Sequence, residues 1–347
     1  MSLTYRTKRR LHHLGTIALI VLMAIILIWF CWVVWLERYV VYSRDGATLD
    51  FEVSNEKLSG QVARPPAAGT EVDIYFNEGD NVVDTKEELT QLKGYYISAK
   101  AMTQEFAAIR AKLDLLEPGT AVMIELKPGN GTFLYSSSLA EAVQSTNIDV
   151  TLVDELIQAC KGRNLYTIAR VSAFRDYYYG LNHVPNGLYH INRKGLWPDS
   201  GNCYWLNPTS NSVLNWITSV ILEVKGLGFD EVLLADFRFP DTDKIIFNDD
   251  KDLALQKAAN TIFTSCATDS FAVSFLTASA SFPLPEGRCR LYLENVAAQN
   301  VGLSGSQASF ADPEIRLVFL ADTQDTRFEQ YGVLRPLETA DLVKPEM

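Results

Sequence analysis

SVLNWITSVILEVKGLGFDEVLLADFRFP, residues 212–240, is the stretch whose reading decides the fold. Residues 212–228 have the spacing of a long helix and end in glycine, a common helix stop. Residues 230–240, DEVLLADFRFP, form a compact apolar run of strand length. A helix feeding directly into a buried strand is half of a βαβ unit, in which parallel strands are joined by crossover helices.

The same alternation extends both ways. Strand patterns lie at KGYYISA (93–99), TAVMIELK (120–127), LYTIARVSAF (165–174), FAVSFLTAS (271–279), RLYLENV (290–296) and EIRLVFLAD (314–322). Helical patterns lie at 102–116, 151–163 and 252–269. A Gly-, Asn-, Trp- and Pro-rich loop spans 177–207. About eight strand slots in some 230 residues predict an α/β fold, a (β/α)8 TIM-like barrel over residues 89–322. A doubly wound open sheet is the competing architecture, but no glycine-rich turn follows the first strand. The polar, acidic residues 323–347 read as a loose C-terminal tail.

Ahead of the barrel, residues 14–36 read LGTIALIVLMAIILIWFCWVVWL without one charge. At about 1.5 Å per residue, such a helix crosses a bilayer core of about 30 Å. Arg6, Lys8, Arg9 and Arg10 precede it, and positive charge stays on the cytoplasmic side. The apolar run ends without a small-residue cleavage site. These features predict a cytoplasmic basic tail at 1–13 and a transmembrane signal anchor at 14–36. The chain would be a single-pass plasma-membrane protein with its domain outside the cytoplasm. Residues 37–88 alternate apolar and polar side chains, broken by ARPPAAG at 63–69. They read as a β-rich stalk or collar.

Composition narrows the partners. The net charge of −11 argues against nucleic acid, whose binding requires cationic neutralisation of phosphates. It fits a glycan. Of five cysteines, Cys31 lies in the apolar run. Cys160, Cys203, Cys266 and Cys289 can form two disulfides in an oxidising compartment, in any of three pairings. No Cys/His spacing suggests zinc, no GxSxG is present, and no phosphate-binding loop occurs.

In a barrel the working residues lie at the C-terminal ends of the strands. That rule selects Glu125, Lys127, Arg170, Asp176, Trp205, Asn207, Asp236, Arg238, Glu294 and Asp322, while Asp230 and Glu231 fall at the opposite end and read as solvated. Carboxylates with aromatics are what glycoside cleavage requires: one acid protonates the leaving oxygen and another acts as nucleophile or base. Trp197, Trp205, Tyr177 and Tyr178 are candidates to stack on sugars. Each has a structural alternative: Glu125 and Lys127 as a same-face ion pair, Asp176 as a helix cap, the tryptophans as core.

Residues 228–240, GFDEVLLADFRFP, resemble the GFDEIQFDYIRFP signature of a glycoside-hydrolase-like family of TIM barrels, a domain of unknown function in bacterial surface proteins. KGYYISA resembles the family's opening KGIYLTA strand, and VMIELKPGNGTFLY (122–135) resembles VIDVKDDSGKVTY. LYTIARVSAFRD (165–176) resembles YVIARIVVFKD, and GLWPDSGNCYWLNPTS (195–210) resembles GLWRDxxGxxWVNPYS. The resemblance implies a barrel and a carbohydrate-related role. Arg170, Asp176, Trp205, Asn207, Pro208, Arg238 and Pro240 match the family pattern. The family's Asp in FDYIRFP falls on Ala235, and Asp236 falls on its Tyr. The last two acids of DVKDD fall on Pro128 and Gly129.

A one-place shift along a strand sends a side chain to the opposite face, so Asp236 would point away from the mouth unless a bulge restores it. Parity within the strand suggests the reverse. Leu233, Ala235, Phe237 and Phe239 form an apolar set suited to lie under helices, which would leave Asp236 and Arg238 in the mouth.

The expectation is a membrane-anchored, extracytoplasmic glycoside hydrolase acting on a cell-envelope or extracellular polysaccharide, with the bilayer as partner of its anchor. Asp236 and Glu125 are the expected catalytic pair. Arg238, Asp176, Arg170, Lys127, Trp205, Asn207 and Glu294 are the expected substrate contacts. That chemistry needs no metal or organic cofactor. The competing expectation is a degenerate barrel that binds glycan or a partner protein without turnover.

Overall fold

The computed structural model describes residues 89–342, the segments 40–43 and 46–49, and residues 22, 23 and 29. The expected basic tail, nearly all of the expected anchor and most of the expected stalk lie outside the described residues. Among the described residues, no helix is long and apolar enough to cross a membrane. Two compact units divide the chain, Met1–Asp80 and Asn81–Met347. In the first, β1 (Val40–Ser43) and β2 (Gly46–Leu49) form an antiparallel hairpin.

The second unit is an eight-stranded barrel. Its staves are β3 (Lys93–Ile97), β4 (Ala121–Lys127), β7 (Tyr166–Ser172), β8 (Glu231–Ala235), β9 (Ala272–Leu276), β10 (Leu291–Glu294), β11 (Leu317–Leu320) and β12 (Gly332–Pro336). All neighbours pair in parallel and follow chain order, and β12 closes onto β3 with Val333 opposite Lys93. Closure excludes the open sheet. A minor parallel pair, β5 (Thr132–Phe133) with β6 (Val143–Gln144), lies in the connection after β4. The closing strand falls within the segment expected to be a tail. Val333 and Leu334 are buried there, one on each side of the sheet. The polar residues flanking this five-residue strand hid it from the sequence reading. The 177–207 loop, by contrast, supplies no barrel strand.

Helices α1 (Ala99–Leu113), α2 (Val150–Gly162), α4 (Asn211–Gly226) and α5 (Lys251–Cys266) wrap the half of the barrel from β3 to β9. A short α3 (Tyr177–Asn182) follows β7, and α6 (Val301–Gln307) and α7 (Pro313–Arg316) cover the other half. Each long helix starts at a side-chain cap: Ser98, Asp149, Ser210 and Asp250 accept from backbone N–H groups two or three residues on. On α4, Val213, Leu214, Ile217, Val220, Ile221 and Val224 recur at three- and four-residue intervals and are buried. Each such burial contributes about 1.5–3 kcal/mol relative to exposure.

Alternation along the strands sorts their side chains into two cores. Met123, Ile168, Leu233, Leu276, Val318 and Leu334 meet inside the barrel. Val122, Ala169, Val232, Leu234, Val273 and Phe275 face outward, in one core with the helices. The apolar set expected under the helices is therefore split: Leu233 lies inside the barrel, and Val232 and Leu234 are the ones that face the helices. All four outer cysteines are buried free thiols, and none of the three possible pairings is present in this structure. Burial pushes the Cys160 thiol up to about 12.

Candidate active site

At the mouth of the barrel, Arg170 on β7 lies between acids from the adjacent β4 and from β10 across the barrel. Its Nη2 is 3.0 Å from Glu294 Oε2 at the end of β10, and its Nε is 3.9 Å from Glu125 Oε1 on β4. Glu125 also accepts a 2.8 Å hydrogen bond from the Ala99 N–H at the start of α1. Burial works against the Arg170 charge, but Glu294, Glu125 and Asp236 outweigh it and raise its pKa. Beside this group the Tyr96 hydroxyl donates to Asp322 Oδ1 at 2.5 Å. Burial and that carboxylate push the Tyr96 phenol above its ordinary value.

Asp236 reaches the mouth by leaving the strand. β8 ends at Ala235, and by alternation Ala235 takes the inward side of the sheet with Leu233. Asp236 then adopts φ +50°, in the left-handed region that Asp tolerates better than most residues. The turn breaks the two-residue alternation that would have sent its side chain outward. The Ser172 hydroxyl lies 2.7 Å from Asp236 Oδ2 and 2.8 Å from the Arg175 carbonyl oxygen, and can donate to one at a time. Gly129 leaves the room this arrangement needs. A Cβ there would fall 2.4 Å from Arg175 Nη1 and 3.1 Å from Asp236 Oδ2.

Lys127 and Asp176 lie under this surface rather than on it. Their side chains are each 1 % exposed, with Nζ 2.7 Å from Oδ2. Lys127 also donates to the Ser172 carbonyl oxygen, and Asp176 Oδ1 caps α3 by accepting from the Tyr179 N–H. Gly131, at φ +81°, packs so closely on Asp176 that a Cβ would fall 2.0 Å from its Oδ1. The pair ties the β4 and β7 loops together.

Asp199 does the same for the loop at 195–207. It accepts from Arg175 Nε at 2.5 Å, from Trp205 Nε1 at 3.2 Å, and from the Gly201 and Cys203 N–H groups. Burial alone would raise the Asp199 carboxyl, but the Arg175 and backbone donors prevail and hold it at about 2. Trp205 is 3 % exposed, so it is core, with the Arg238 guanidinium 5.0 Å from its ring centroid. Asn207 folds into an Asx turn, its Oδ1 accepting from the Thr209 N–H and hydroxyl ahead of α4. Of the other aromatics, Tyr177 is stacked on Tyr204 with centroids 5.6 Å apart, while Trp197 is half-buried. A cavity of about 300 Å³ opens beside the acids, with Arg238 and Glu294 as its charged lining. No cluster of His, Cys, Asp and Glu among the described residues is arranged to hold a metal ion.

At the opposite end, Glu231 is buried rather than solvated. It pairs with Arg290 at 2.5 Å and accepts from the Tyr166 and Tyr292 hydroxyls at 2.9 and 2.8 Å. Its parity with Leu233 was the available signal. Nothing in the sequence marked Ser172, Arg175, Asp199 or Tyr96 as members of the mouth, because their partners come from distant segments.

Residues 94–281, more than half of the 347, match the family model described as "Putative glycosyl hydrolase domain". The chain belongs to that family. No curated protein matches it. Among solved structures, a hypothetical protein from Ruminiclostridium thermocellum is 18 % identical, with a TM-score of 0.45 over 52 % of this chain and 96 % of that one. The glycoside hydrolase domain of a PelA variant from Pseudomonas aeruginosa is 10 % identical, with a TM-score of 0.46 over 74 % and 99 %. A GH20 exo-β-N-acetylglucosaminidase from Vibrio harveyi is 9 % identical, with a TM-score of 0.48 over 67 % of this chain and 41 % of that one. At such identities the likeness concerns the fold. The family assignment agrees with the resemblance carried by residues 228–240.

Proposed function

We propose that this chain is a membrane-anchored glycoside hydrolase acting outside the cytoplasm on a cell-envelope or extracellular polysaccharide. The observation that carries the reading is the convergence of Glu125 and Glu294 on Arg170 at the open end of the barrel, with Asp236 turned into the same mouth beside Ser172. Glycoside cleavage needs two carboxyl groups flanking the scissile bond. Glu125, held in place by the Ala99 N–H and facing Arg170, would be the nucleophile or base. Asp236, turned into the mouth beside the Ser172 hydroxyl, would be the second carboxyl of the pair. Arg170 orients the acids, and Glu294 and Arg238 line the cavity where sugar would sit. Lys127, Asp176, Trp205 and Asn207 act through the loops they hold. The anchor at 14–36 would keep the barrel at the outer membrane surface.

A second reading rests on Ala235. It occupies the inward strand position at which the family pattern carries Asp, so a barrel that binds glycan without cleaving it is favoured by that residue. Reducing-sugar release from a panel of envelope and extracellular polysaccharides by the full chain separates the two. The hydrolase reading expects turnover that falls at least about 10²-fold in Asp236→Asn and in Glu125→Gln. Glycan retained with no turnover by the unmodified chain would leave a binding barrel.

A further inference from the structure

The guanidinium groups of the mouth and the buried Lys127 are matched to carboxylates with one exception. Arg170 meets Glu125 and Glu294, Arg175 meets Asp199, and Lys127 meets Asp176. Among the described residues Arg238 forms no ion pair. Its guanidinium lies over Trp205, and its one hydrogen bond is a 3.5 Å contact to the Phe239 carbonyl oxygen. Stacking on a buried indole fixes the group without consuming its N–H donors.

Arg238 also sits where two cavities meet. The 300 Å³ cavity beside Glu294 and a second of about 510 Å³, reaching Lys251 at the start of α5, share Arg238, Thr277, Ala278 and Ser279. Of the carboxylates in these walls, Glu294 is engaged by Arg170 and Asp250 caps α5, while Asp252 lies exposed in the wall of the second cavity. Lys251, like Arg238, is poised over an aromatic ring, that of Phe239 at 5.6 Å. A half-buried guanidinium with free donors, between two spaces each able to hold part of a sugar chain, is a receptor for a planar anion.

We infer that the glycan bound here is acidic, carrying a carboxylate that pairs with Arg238 at the junction of the two cavities. This rests on reading the mouth as a glycan site. The net charge of −11 opposes a polyanion at long range. At physiological ionic strength, however, fields are screened beyond about 8 Å, so the groups around Arg238 govern the contact.

The test is titration of the full chain in detergent micelles with polygalacturonate, alginate, hyaluronan and glucuronoxylan. Each is compared with the same polymer after reduction of its carboxyl groups to primary alcohols. At least one acidic polymer is expected to bind tenfold or more tightly than its reduced form. Arg238→Gln should erase that margin and Arg238→Lys should keep part of it. Equal binding of every matched pair, binding of none of them, or an undiminished margin in Arg238→Gln would overturn the inference. The comparison on the unmodified chain needs no variant to fold. Acid-selective binding without cleavage would leave the inference standing and sink the hydrolase reading. Cleavage of neutral polymers with no preference for acid would do the reverse.

Discussion

The barrel carries an arginine paired with carboxylate at each end, and the two groups behave oppositely. At the floor, Arg290 and Glu231 are 1 % and 0 % exposed, and two tyrosine hydroxyls complete the shell of the carboxylate. At the mouth, Arg170 and Glu125 are about one-fifth exposed and Glu294 more than one-third, and a cavity opens beside them. The floor is balanced, one charge against one, and sealed. The mouth sets several carboxylates around one guanidinium and leaves oxygens facing space. The same residue types at the two ends of one barrel are thus structural where hydroxyls saturate them and available for chemistry where solvent or substrate must.

The largest expected effect is on the floor. Glu231→Ala strands Arg290 without a counter-charge and should cost about 3–5 kcal/mol in urea denaturation, while Glu231→Leu combined with Arg290→Met should recover most of it. A loss near that of a surface pair, below about 1 kcal/mol, would erase the contrast between the two ends.

Arg170→Met sharpens the comparison from the other side. Stability should fall by no more than about 1.5–3 kcal/mol, the scale of charged hydrogen bonds. Turnover should drop about 10²-fold, because the acids lose the group that orients them. Unfolding as severe as that of Glu231→Ala would make the mouth as structural as the floor.

The smallest effect concerns acid. Asp199 is held at about 2 against its ordinary 3.8. A carboxyl depressed in the folded state contributes stability in full above its unfolded pKa and loses it as pH falls through the folded value. The unmodified chain should therefore shed a small increment of stability between about pH 4 and pH 2, and Asp199→Asn should flatten that limb. An unchanged limb in Asp199→Asn would remove the Arg175–Asp199 clamp from the account of the mouth.

The strands at 121–127, 166–172 and 231–235 were legible because a stave buried on both faces is a near-continuous apolar run. The closing strand at Gly332–Pro336 was not. It is short, and what makes it a strand is its pairing with β3, which lies some 240 residues earlier. Glu125, Arg170 and Glu294 were reachable from the rule that working residues end the strands. Asp236 was reachable as a candidate, but its direction was not, since alternation predicts only residues that stay in the strand. Lys127 and Asp176 looked like substrate contacts because a charged residue at a strand end carries no mark of the lid that buries it.

By itself the sequence determined the parallel barrel, the family and the ring of charged residues at the strand ends. Periodicity and local motifs are properties of neighbouring residues, and they persist when the rest of the chain is ignored. Only the tertiary structure decided which of those charges is spent. Pairing Lys127 with Asp176, Arg175 with Asp199 and Glu231 with Arg290, while leaving Arg238 unmatched, depends on side chains brought together across 24 to 59 residues of intervening chain. Electrostatic interaction follows distance and burial, and neither is written in the spacing of a sequence.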